Sequence, residues 1–245
     1  MGLNGWGKKR VNGTFTIQYC FKFGDDVREV FNLDFDVETL ELIVDIPKEL
    51  PQWARLGFHQ CPHCPLSALR HRYCPVAEKL VNIASRFDSL LSYNEIHLDV
   101  ITDERLISQH TTVQRGLGSL MGLIMATSGC PHIVYFKPMA RFHLPLASEE
   151  ETIYRAASMY LLAQYFRNQA GEQVDLELEG LRKIYDNIQL VNRAFAKRLR
   201  IASKTDSLLN AIVELDVFAQ TMSIVIEESL EDLKYLFQSY LGKSF

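Results

Sequence analysis

"TFTIQYCFKF", residues 14–23, decides the fold class. Phe15, Ile17, Tyr19, Phe21 and Phe23 alternate with Thr16, Gln18, Cys20 and Lys22, the two-residue period of a strand with one buried face. Gly24-Asp25-Asp26 supplies a turn, and "REVFNLDFD" and "TLELIVD" continue as an antiparallel meander. Leu40, Leu42 and Val44 share one face of its last strand, and Pro47 and Pro51 end the unit. Downstream, "EIHLDVIT" and "RLISQH" flank Thr102-Asp103-Glu104 as a second hairpin, and the chain beyond Ser148 carries helical periodicity. The class expected is α+β: an N-terminal antiparallel β meander, a Cys/Pro-rich central loop with a second hairpin, and a C-terminal helical bundle. The divisions fall at 1–50, 51–147 and 148–245, expected to pack as one compact unit.

Several helices are legible individually. Val76, Leu80, Ile83, Phe87 and Leu91 line one side of residues 75–91. "TTVQ" has the Thr-x-x-Gln form of a capping box and opens a helix over 112–128. Gly118 and Gly122 on it predict close approach by another backbone, and Gly129 stops it just before Cys130-Pro131-His132. "SEEE" opens a helix to Asn168 that is apolar nearly all round (Ile153, Ala157, Tyr160, Leu161, Tyr165), which predicts a central position. Leu181, Ile184, Ile188, Val191, Phe195 and Ala202 mark the next, and 205–222 and 223–241 read as two more.

With 245 residues, 47% hydrophobic and 23% charged, the chain has the composition of a protein with a sizeable core, not a disordered one. A net charge of −4 gives no general attraction to nucleic acid or to an anionic membrane. The start, "MGLNGWGKKRVNG", lacks the apolar segment of a secretory signal, and Trp6 stands where a myristoylation motif has Ser or Thr. No apolar run approaches the ~20 residues a bilayer requires. A cytoplasmic setting is expected.

There are five cysteines, Cys20, Cys61, Cys64, Cys74 and Cys130. An odd number without an export signal points away from a disulfide framework and towards metal or redox chemistry. Cys20 falls on the polar phase of the first strand and reads as an ordinary strand residue. The other four are spaced C-x2-C-x9-C with the last 56 positions on, and each is followed by proline, which accounts for four of the eight prolines. Proline fixes its own φ, so each thiol sits on a pre-bent chain that loses little entropy on binding. A C-x2-C turn lets two sulfurs reach one ion.

Cys61, Cys64, Cys74 and Cys130 are therefore the candidate metal ligands, with His132 or His63 as substitutes for one sulfur and His59 and His71 further behind. Zn2+ is the expected ion, held structurally, with a [4Fe–4S] cluster for electron transfer or redox sensing as the alternative. A closed four-sulfur site has no open coordination position, so the reading is of an interaction or regulatory protein, not an enzyme. A further alternative comes from Cys-Pro-His-Cys, which resembles the active-site tetrapeptide of bacterial thiol oxidases of the thioredoxin fold. That family activates its first thiol at a helix N-terminus. Here Pro65 and the absence of a surrounding strand–helix–strand unit depart from the pattern.

Other patterns fail. A di-iron bundle needs Glu-x-x-His pairs, and all seven histidines lie at or before His143. Gly116, Gly118 and Gly122 match no dinucleotide or phosphate-loop fingerprint. "KPMARFHLP" places Lys137, Arg141 and His143 in one loop, where they would hold a small anion if they converged. Arg193, Lys197, Arg198 and Arg200 precede an acidic segment that complements them. The partner expected is a protein, or a second copy docked through the C-terminal helices; nucleic acid and membrane are not.

The blocks "CPHCPL", "CPVA", "TTVQRGLGSLMGLIMATSGCPH", "KPMARFHLP" and "EEETIYRAASMYLLAQYF" span about residues 58–166. In these blocks the chain resembles an uncharacterised bacterial protein family of unknown function. The resemblance implies a bacterial, soluble setting and carries over no catalytic residue.

Overall fold

The computed structural model describes residues 13–24, 27–87, 90–203 and 205–242, together with the backbone but not the side chains of 224, 225 and 227–229. The polar start of the chain, Asp25 and Asp26 of the first turn, and the side chains of Glu227 and Glu228 lie outside the described residues.

Strands β1 (Thr14–Phe23), β2 (Val27–Asp36), β3 (Leu42–Ile43), β4 (Glu95–Ile101) and β5 (Leu106–Thr112) form one antiparallel sheet in the order β3-β2-β1-β4-β5. The first strand is thus the sheet's centre, with Tyr19 opposite Phe31 on one side and Val100 on the other. The meander and the second hairpin both form, as alternation requires. The third strand is only two residues long, because Leu40 turns through the left-handed region at φ 57 just before it. Phe15, Ile17, Tyr19 and Phe21 join Phe31, Leu33, Phe35, Ile96, Leu98 and Val100 in the core. The opposite face carries Lys22, whose ammonium pairs with Asp99 at 2.5 Å.

Helices α1 (Pro75–Ala84), α2 (Val113–Ala126), α3 (Lys137–Arg141), α4 (Glu149–Gln169), α5 (Glu179–Ala202), α6 (Ser207–Asp232) and α7 (Gln238–Leu241) follow or interrupt the strands. The result is α+β. One hydrophobic core joins residues from Phe15 on β1 to Ile212 on α6, and a smaller cluster joins α4, α5 and the far half of α6. No helix among the described residues is long and apolar enough to cross a membrane.

Three helix expectations need correction. The central helix is α2, not α4: α2 has ten buried residues between the sheet and α6, whereas Tyr154, Leu161, Leu162, Tyr165 and Phe166 of α4 are exposed. Apolarity on all sides of α4 reflects an uncovered face, not enclosure. Residues 207–232 are one continuous helix, followed by a 3-10 turn Leu233–Phe237 and then α7, because no residue near 222–223 breaks helical hydrogen bonding. The cap of α2 is Thr112, one residue later than the motif implied, accepting from the Arg115 amide; Gln114 instead reaches Glu214. On α4 the capping box forms as read, with Ser148 and Glu151 exchanging hydrogen bonds.

Glycine on α2 does close packing at a position other than the pair singled out above. A Cβ on Gly116 would lie 2.8 Å from Phe21 Cε1 and 3.2 Å from Ile96 Cδ1, so the helix rests directly on the sheet there. At Gly118 and Gly122 the nearest atoms, Ala211 O and Leu215 Cδ2, lie at 3.9 and 3.8 Å, ordinary contact distances. Gly116→Ala is therefore expected to destabilise by about 1–3 kcal/mol through overpacking. Gly118→Ala should be neutral or stabilising by up to about 1 kcal/mol, since alanine favours the helix. Urea unfolding of the two variants side by side reads the difference.

Candidate metal centre

The segment between the meander and α1 is folded by main-chain pairing. Arg55 bridges Tyr73, the Leu56 amide donates to the Arg72 carbonyl, and the Cys74 amide donates to Ala54. This returns the chain on itself and sets Cys74 beside the stretch leading to Cys61. A turn in which the Cys64 amide donates to Cys61 O at 3.1 Å places those two thiols on one bend. Cys74 is the N-cap of α1, with Pro75 at the first helical position. Cys130 follows Gly129, which takes φ 85 to leave α2, and its amide is held by the Ser128 hydroxyl.

These four positions converge electrostatically. Burial pushes the Cys61 thiol up to about 12, and the nearby Cys74, Cys130 and Cys64 sulfurs add to it, while Arg198 opposes. Cys130 is pushed up to about 11 by burial, with Cys74 and Cys64 contributing against hydrogen bonds from the His132 and Ile133 amides. Cys20 lies on β1, paired with Val30 and Asp99, and is a strand residue as read. Among the described residues no three His, Cys, Asp or Glu side chains are already gathered tightly enough to hold a single ion.

Arg198 is the group that sequence reading misplaced. It belongs to the interior, at 2% exposure, and not to a basic surface with Arg193, Lys197 and Arg200. Its guanidinium donates to the carbonyls of Trp53 and Arg55 at 2.7 Å and of Leu56 at 2.9 Å. Burial lowers its pKa, and Cys74, Cys61 and Cys64 raise it. Among the described residues no carboxylate pairs with it. A buried cation with neutral partners favours anionic sulfur nearby. The signal was present: Arg198 continues the Val191, Phe195 stripe by a three-residue step, where a charge has no reason to be unless it is bound.

His63 and His132 stack with ring centroids 3.8 Å apart, and His132 Nε2 lies 3.0 Å from the His63 carbonyl. Burial and then His132 lower the His63 pKa against a hydrogen bond with the Asn187 backbone, which favours the neutral imidazole that ligates metal. His59 and His71 are exposed on the loop. At Cys61 the chain forms a turn and no helix begins there, so the thiol lacks the dipole that activates a redox cysteine.

Lys137, Arg141 and His143 do not share a site. Lys137 donates to Thr39 O and pairs with Glu41, Arg141 lies over the Phe15 ring, and His143 is bonded to the Tyr19 hydroxyl.

No curated protein and no solved structure matches the chain. A family model described as a domain of unknown function does, over residues 17–238, and that span runs from within β1 to the start of α7 and includes all four clustered thiols and Arg198. The chain belongs to this family, DUF6901.

Proposed function

We propose that the chain is a cytoplasmic interaction or regulatory protein built around a four-cysteine metal centre, with Cys61, Cys64, Cys74 and Cys130 holding structural zinc. The observation that carries this reading is the approach of Cys61, Cys64 and Cys74 to one buried guanidinium, with Cys130 beside them. Four thiolates around Zn2+ leave a net negative charge, which Arg198 offsets. High pKa values at Cys61 and Cys130 mean that these two thiols are protonated without metal, so uptake releases their protons. Zinc would tie the central loop to the end of α2. His63 or His132 would replace one sulfur if the set is mixed.

A [4Fe–4S] cluster is the second reading, since four cysteines, two of them in a C-x2-C pair, also suit that group. Docking of a protein partner or a second copy would use the uncovered face of α4.

Anaerobic purification followed by zinc, iron and acid-labile sulfide analysis tests both readings. One zinc per chain in a colourless protein supports the staple, and stoichiometric iron and sulfide in a brown one support the cluster. Metal-free protein with a reversible Cys61–Cys64 disulfide would sink both and favour an oxidoreductase. Cys130→Ser is expected to lose the metal and lower Tm; retention of full occupancy would exclude Cys130 as a ligand.

A further inference from the structure

A cavity of about 450 Å3 lies between α2, α5, α6 and the segment after Cys130. Its size is that of a small-molecule site. Leu123, Ile133, Phe136, Ile188, Leu215 and Phe218 give it apolar walls.

Gly118 and Gly122 form part of the lining. Each has room for a methyl group at 3.8–3.9 Å from the nearest atom, so neither is required for α2 to meet α6. Glycine inside a helix costs about 1 kcal/mol relative to alanine. Two such positions on one wall of a cavity keep volume open.

The second observation is Asn192. It is 1% exposed, it lines this cavity, and among the described residues neither its amide nitrogen nor its amide oxygen has a hydrogen-bond partner. An orphaned buried amide is costly and is relieved by a ligand offering an acceptor and a donor together. Neighbouring polar groups are already engaged. His143 and Ser119 meet the Tyr19 hydroxyl, Arg155 donates to the Met139 and Phe142 carbonyls, and Glu214 accepts from Gln114. Two arginines, Arg115 and Arg155, and two glutamates, Glu149 and Glu214, stand on the lining, so its charges balance in number, which suits a neutral ligand.

We propose that this cavity binds a neutral, largely apolar small molecule whose amide-type donor–acceptor edge is read by Asn192. The site is separate from the four thiols and does not depend on their metal.

Calorimetric titration of the full chain with N-butylbenzamide and with butyl benzoate tests it, because the two probes share shape and differ by one donor. The amide is expected to bind saturably and about tenfold more tightly than the ester, the value of one hydrogen bond. Asn192→Leu, which keeps the branched shape and removes the orphaned amide, should fold and bind both probes alike. Gly122→Leu should occupy the cavity and abolish uptake of both. Absence of saturable binding by the amide up to about 1 mM would overturn the proposal. So would equal affinity for the two probes, or an amide preference that survives in Asn192→Leu. If Gly122→Leu does not fold, the Asn192→Leu comparison decides alone.

Discussion

Arg198→Met is expected to lower the free energy of unfolding of the metal-free protein by about 3 kcal/mol. The substitution removes donors from the carbonyls of Trp53, Arg55 and Leu56, all of which face a guanidinium with almost no solvent contact. Arg55 O keeps the Phe58 amide, whereas the carbonyls of Trp53 and Leu56 are stranded at about 1–3 kcal/mol each, and relief from burying the guanidinium offsets part of the sum. Methionine fills most of the space, so cavity formation is a small part of the effect. The same variant should bind metal more weakly, because the positive charge beside Cys61, Cys64 and Cys74 is gone. Arg198→Lys should retain the charge but not the fork, and so recover metal affinity more than stability. Urea titration in chelator and reductant, with a zinc competition assay alongside, separates the two effects. A stability loss below about 1 kcal/mol would show that the stranded carbonyls find other partners.

The second large effect is a pH dependence set by His143. Burial, and then the charge of Arg155, depress its pKa to about 3 from an ordinary 6.5. His143 is among the residues that line the cavity described above. Below pH 6.5 the unfolded chain takes up a proton that the folded chain refuses, so stability is complete above that value and falls as pH drops towards 3. Near pH 5 the loss amounts to about 1–2 kcal/mol. Asp36, Asp99, Asp175 and Asp206 are held below the usual carboxylate value by their hydrogen bonds, so what they contribute is lost only at lower pH. The window above about pH 4 therefore belongs to the imidazoles, with His63 adding in the same direction. His143→Gln keeps an acceptor for the Tyr19 hydroxyl and should flatten the profile between pH 6.5 and 4; an unchanged slope would place the titration elsewhere.

What could be read in advance follows from how local each feature is. The alternation in residues 14–23 reports a strand with one buried face because pleating fixes it within the segment itself. The capping box at Ser148 is equally local, and it formed. Position in the assembly is not local. Residues of α4 and α2 are both strongly apolar, and only the topology decides that α2 lies under the sheet and α4 at the margin. Gly116 shows the same limit: its contact is with Phe21 and Ile96 on two strands, so no pattern within α2 could single it out from Gly118.

The candidate site divides in the same way. Cysteine–proline repetition marked Cys61, Cys64, Cys74 and Cys130, and the fold brings those four into one neighbourhood. Arg198 was counted with surface cations because charge tallies ignore helical phase, although the apolar stripe of α5 passes through it. Asn192, also on α5 and next to Val191, carried no motif at all; its isolation emerges only when α2 and α6 close over it.

The clamp from α5 onto the loop at 53–56 has a consequence for biogenesis. Arg198 and Trp53 are 145 residues apart, so at about 5–20 residues per second a ribosome needs about 7–30 s between the two. For most of that interval the nascent chain holds Cys61, Cys64 and Cys74 without the arginine that later sits near them. Under the proposed metal reading, any loading that depends on Arg198 is a late event in synthesis.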